Sequence, residues 1–159
     1  MKQELRHIRL LITFFTVCLF LSGLTAMPLE SELSFLCGIF PETTSLGSWL
    51  HKVHIGLINT NLDYPFIAYG FDWLAFAHFI LAILFIGVIK DPVRNKWIVE
   101  FGIIACLLIP PFAFAAGSVR GIPSGWIFID CSFGIIGILP LFICQRKITA
   151  LEQNEYAIH

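Results

Sequence analysis

The stretch Asp91-Pro92-Val93-Arg94-Asn95-Lys96-Trp97 decides the reading of this chain, because it is a short charged run between two long apolar ones. Before it lies 71–89 and after it 98–116, each close to the roughly 20 apolar residues needed to cross a hydrocarbon core. Two more such runs, 10–27 and 126–144, lie toward the two ends. The pattern predicts an all-α integral membrane protein. Its fold is expected to be a four-transmembrane-helix bundle, with 1–159 as a single membrane domain and 28–70 as its outer connection.

Composition points the same way. The chain is 57% hydrophobic and 13% charged, with a mean hydropathy of +0.83. Soluble domains carry about 25% charged residues, so a soluble fold would expose much of this apolar surface. The net charge of -1 exerts no global pull toward nucleic acid, and no nucleic-acid partner is expected. The position of the charges is more informative than their sum. Lys2, Arg6, Arg9, Lys90, Arg94, Lys96, Arg146 and Lys147 are eight of the ten Lys and Arg, and they flank the same ends of the four spans. Only Lys52 and Arg120 fall in the other two connections. The positive-inside rule then puts both termini and the 91–97 turn in the cytoplasm of a multi-pass protein, in a bacterial-type cell membrane. Expected partners are the lipid bilayer, a small ligand, and further copies of the chain or a larger membrane complex.

The 10–27 run has the basic flank of a secretory signal, but it is longer than a signal core and has Leu24 where a cleavage site wants a small residue, so it is read as an uncleaved span. Four of the five cysteines, Cys18, Cys106, Cys131 and Cys144, lie in spans, and no Cys-x-x-Cys occurs. Such thiols behave as small hydrophobes, which argues against redox chemistry.

Residues 28–70 show helical spacing. Leu29, Leu33, Leu36 and Phe40 recur every three or four residues behind Pro28, and Pro41 ends that run. Ser45 is placed to cap a second stripe of Leu46, Trp49, Leu50, Val53 and Leu57, which Asn59-Thr60-Asn61 and Asp63-Tyr64-Pro65 should break. Two short amphipathic helices are expected. His51 and His54 lie on the second at an i, i+3 spacing able to bring two imidazoles to one metal, but no third ligand is fixed nearby, so no metal site is assigned.

Few ionisable residues enter the spans, and each has a structural explanation to weigh. Asp72 suits a helix N-cap. Glu100 stands four residues after Lys96 and suits an intrahelical salt bridge. Asn95 is placed to cap the third span and Ser124 the fourth. Pro110-Pro111 should kink the third span and free carbonyls inside it. His78 shares a face with Phe71, Ala75 and Ala82, and Asp130 shares one with Gly134 and Gly137. Small residues mark faces where helices approach closely, so both polar groups are expected to face protein.

His78, Asp130, Arg120 and Asp72 therefore form the expected ligand-binding set, in a polar pocket at outer-leaflet depth. The preferred function is non-catalytic: small-ligand binding, or the role of an assembly or accessory subunit. The alternative is an intramembrane enzyme in which His78 acts as general base, oriented by Asp130, on a lipid-like or other amphiphilic substrate. A proton path would require polar groups to continue through the bundle, and between His78 and Glu100 they do not. No cofactor is specified. A b-type haem would need His51 or His54 as a second ligand beside His78, and a zinc ion would need those three with Asp130.

Overall fold

The computed structural model describes residues 2–156, with side chains to residue 153. It is helical throughout and has no strand among the described residues. The helices are α1 (Lys2–Thr25), α2 (Leu29–Ile39), α3 (Ser45–Asp63), α4 (Tyr69–Lys90), α5 (Lys96–Arg120) and α6 (Ser124–Tyr156), with a short 3-10 turn at Pro65–Ile67 before α4. Four of them, α1, α4 with its preceding turn, α5 and α6, are long and apolar enough to cross a membrane. Their apolar side chains are largely turned outward: Phe14, Ile83, Leu107, Leu108, Phe133 and Ile135 are all exposed. That is the surface expected of helices solvated by acyl chains.

The helices overrun the expected spans. α1 begins at Lys2 and α6 runs 33 residues, about 50 Å at 1.5 Å per residue, against a hydrocarbon core of about 30 Å. Hydropathy finds where the apolar run stops, whereas the backbone ladder continues as long as the residues tolerate a helix, and residues 145–153 do.

Two compact units emerge among the described residues: 2–18 with 82–156, and 19–81. In the first, Ile8, Ile12, Phe85, Val88, Val99, Leu141, Cys144 and Ile148 are fully buried. Small residues let its helices close. A Cβ on Gly102 would stand 2.9 Å from both Leu141 and Phe85, and one on Gly117 would stand 2.6 Å from Ile127. Pro110 and Pro111 sit inside an unbroken α5. Pro110 has no N–H to give the Cys106 carbonyl one turn back. Gly134 of α6 lies against that oxygen, where a Cβ would come within 2.6 Å, so the freed carbonyl faces a helix backbone and not a side chain.

The turn between α4 and α5 is held by Asn95, though at the other helix. Its Nδ2 donates to the carbonyls of Gly87 (3.0 Å) and Asp91 (2.9 Å), closing the C-terminus of α4, and its side chain makes no cap bond to α5. The Arg94 N–H donates to Asp91 Oδ1 at 3.1 Å. The α5–α6 connection is short because Gly121 takes a left-handed conformation (φ 66°) and the Ile122 N–H returns to the Gly117 carbonyl at 2.9 Å. Ser124 is the first residue of α6 and not its cap, since the Ile127 N–H bonds the Pro123 carbonyl.

In the second unit, α2 and α3 occupy the 28–70 connection. Thr44, one residue before the expected Ser45, caps α3 by accepting from the Gly47 N–H at 3.0 Å. Gly47 is obligatory there, because any Cβ would collide with the Pro41 carbonyl. Asn59-Thr60-Asn61 does not break α3, which continues over 19 residues and ends at Asp63, at the expected Asp63-Tyr64-Pro65 break. Within it the Thr60 hydroxyl donates back to the Gly56 carbonyl at 2.8 Å. The expected stripes are only partly covered. Leu33 and Leu50 are buried, while Phe35 (70% exposed) and Leu62 (76%) are open.

Candidate functional site

The residues singled out in the sequence fall in both units. His78 and Asp72 belong to 19–81, Asp130 and Arg120 to the other. His78 is half-buried on α4. Its Nδ1 donates to the Leu74 carbonyl at 2.8 Å, which leaves Nε2 as the acceptor. The helix face predicted to approach a neighbour does so: Ala75 is fully buried, and Gly23 of α1 is so close that a Cβ would lie 2.7 Å from His78 Cβ and 2.9 Å from the Ala75 carbonyl. This fixes the His78 backbone against α1.

Asp130 is half-buried one turn before the buried Gly134 on α6. Arg120 is the exposed last residue of α5. His51 and His54 are both half-buried on α3, and His51 Nδ1 donates to the Gly47 carbonyl at 2.9 Å. No group of three or more His, Cys, Asp or Glu that could hold a metal assembles among the described residues.

Asp72 is differently placed from its expected cap position. The 3-10 turn at Pro65–Ile67 runs into α4, whose first residue is Tyr69, so Asp72 stands in the first helical turn with its N–H bonded to the Ala68 carbonyl. Asp72 lines a cavity of about 280 Å³ together with Glu30 and Ser31 of α2 and Asn61 of α3. Asn61 Nδ2 donates to Glu30 Oε2 at 2.8 Å. Its Oδ1 is shut off from solvent and has no hydrogen-bond partner. A buried amide oxygen without a donor costs about 1–3 kcal/mol.

Two members of this cavity, Glu30 and Asn61, were not legible as site residues. Glu30 reads as the polar side of a short helix, and Asn61 as a helix breaker. Their meeting depends on α3 continuing through residue 61, which brings Asn61 to the start of α2. Comparison with protein-family models, with curated proteins and with solved structures finds no match to this chain.

Proposed function

We propose that this chain is a four-span membrane protein that acts by binding a small ligand in the polar cavity of residues 19–81, without catalysis. The observation that carries this reading is the cavity itself, in which two acidic residues, Glu30 and Asp72, stand with Ser31 and Asn61. The lining is apolar but for Glu30, Ser31, Asn61 and Asp72, and its two acidic residues favour a positive charge and hydrogen-bond donors on the ligand. Of the set expected from sequence, Asp72 contributes directly; His78, Asp130 and Arg120 belong to this proposal as polar groups of the spans and their outer ends. Eight of ten cations flanking one set of span ends support cytoplasmic termini and an outer 28–70 connection. The amphipathic reading of α2 and α3 places them along the outer interface, with Trp49 and Tyr64 at headgroup level.

The enzymatic alternative draws on one observation. The Leu74 carbonyl holds His78 Nδ1 as donor, and the free Nε2 is the atom a general base would use.

Native mass spectrometry of gently extracted protein, with an absorption spectrum of the same sample, tests the binding reading. Wild type should retain an extra mass that Asp72→Asn and Asn61→Leu lose and His51→Ala keeps. A bare wild-type chain, or a mass indifferent to both cavity substitutions, would remove the proposal.

A further inference from the structure

The eight cations at the ends of the spans are not equivalent. Lys147 is paired with Glu4, and Lys96 with Glu152 at 2.8 Å. Those pairs tie α6 to the starts of α1 and α5. Lys2, Arg6, Arg9, Lys90, Arg94 and Arg146 are all exposed, and none pairs with a carboxylate among the described residues. The other nearby acid with a defined partner, Asp91, accepts from the Arg94 backbone N–H. Arg9 gives one N–H to the Lys90 carbonyl at 3.4 Å and keeps its remaining donors.

Three of these six stand on one face of α1. At about 100° per residue, Lys2, Arg6 and Arg9 fall within a sector of roughly 60°, and Leu10, Val17 and Phe14 continue it along the helix within roughly another 80°. All three apolar residues are exposed, at 59%, 49% and 60%. Ile8 and Ile12, fully buried, occupy the opposite side. At the end of this face lies an open concavity of about 520 Å³ lined by Lys2, Gln3, Arg6, His7 and Leu10. Cations at one end of an exposed apolar strip reproduce, in mirror image, the layout of an anionic phospholipid.

We infer that this face of α1 binds an anionic phospholipid, with its phosphate between Lys2 and Arg6, within reach of Arg9, and an acyl chain along Leu10, Phe14 and Val17. The inference rests on the membrane reading of the chain and is independent of the ligand proposed above. Juxtamembrane cations each contribute about fivefold to the affinity for anionic lipid. The pairing pattern restricts that contribution to particular residues: Lys96 and Lys147 are spent on glutamates, whereas Lys2 and Arg6 are available.

The test is lipid retention after reconstitution into nanodiscs of mixed phosphatidylglycerol and phosphatidylcholine, read by native mass spectrometry. Wild type should carry phosphatidylglycerol in preference to phosphatidylcholine, and Lys2→Gln/Arg6→Gln should lower that preference roughly 25-fold. That double variant leaves the Arg9 bond and both ion pairs in place, so unchanged thermal unfolding is expected beside the lost lipid. Lys52→Gln, which removes an exposed cation of the other unit, should change nothing. Equal retention of the two lipids by wild type, a preference that survives in the double variant, or displacement by inorganic phosphate as effective as by lipid would overturn the inference. Failure of wild type to enter nanodiscs at all would overturn it together with the membrane reading, and is distinguishable from each of those.

Discussion

The α5–α6 seam and the α2–α3 junction hold two helices together by different means. Along the seam the contacts are glycines against side chains and backbone: Gly102 on Leu141, Gly117 on Ile127, and Gly134 on the Cys106 carbonyl. At the junction they are a hydrogen bond between Asn61 and Glu30, the Thr44 cap, and two buried leucines, Leu33 and Leu50. With the α5–α6 seam in the membrane and the 28–70 connection outside it, as proposed above, the difference follows from the solvent. Acyl chains are as apolar as leucine, so helices in lipid gain little by hiding leucine and much by close van der Waals approach. Outside the hydrocarbon, apolar burial and satisfied polar groups regain their usual worth.

The comparison is broken most severely at Gly134. Gly134→Leu should abolish the close approach to α5, because its side chain would have to occupy the position of the Cys106 carbonyl, and the loss should exceed about 3 kcal/mol. Even Gly134→Ala should cost about 1–3 kcal/mol. Unfolding in mild detergent with added denaturant measures both. Wild-type stability of Gly134→Leu would mean that the seam is not close-packed.

A smaller effect is expected at the junction. Leu50, 2% exposed, is among the few buried large side chains of the second unit, and Leu50→Ala should cost about 2 kcal/mol, the low end for a buried leucine, since α2 and α3 have exposed faces and room to relax into the space. The change should show as faster proteolysis in the 40–44 loop. If Leu50→Ala matches Gly134→Leu in severity, the contrast between the two regions fails.

How much of this was readable beforehand follows the same division. The four spans were legible because a hydrocarbon core imposes a length and a composition on any segment that crosses it. The small-residue faces at Ala75, Gly134 and Gly137 were legible because only such residues permit near backbone contact. Capping was harder, since it turns on single residues. Thr44 caps α3 although Ser45 is as good a capper, because Thr44 directly follows the turn that Pro41 begins, and its own N–H and hydroxyl both return to the Pro41 carbonyl, at 3.0 and 2.9 Å. Asn95, which by position suits α5, serves α4, because its amide reaches back to two carbonyls left open at that helix end. The cavity lay beyond the sequence altogether: it needs Asp72 inside the first turn of α4 and Asn61 kept helical, and both depend on where neighbouring helices begin and stop.

Lys96 gives the smallest expected effect and the sharpest use of the comparison. Sequence spacing offers it Glu100 on its own helix, but its ammonium pairs with Glu152 on α6, 56 residues away. The reason is that α6 continues well past residue 144 and carries Glu152 alongside the start of α5. The pair is solvated, with side chains 24% and 32% exposed, so water and salt screen it and the entropy of holding two long side chains offsets its attraction. Glu152→Gln should therefore leave unfolding in detergent within the scatter of the measurement, at low and high salt alike. Its consequence should be electrostatic. Freeing Lys96 adds one available cation to a basic end that already holds six, and retention of anionic lipid should rise by about fivefold while stability stays put. A fall in stability with no change in lipid would show that this ion pair secures the helices as the glycines do, and would erase the distinction between cations that tie the bundle and cations left for its surroundings.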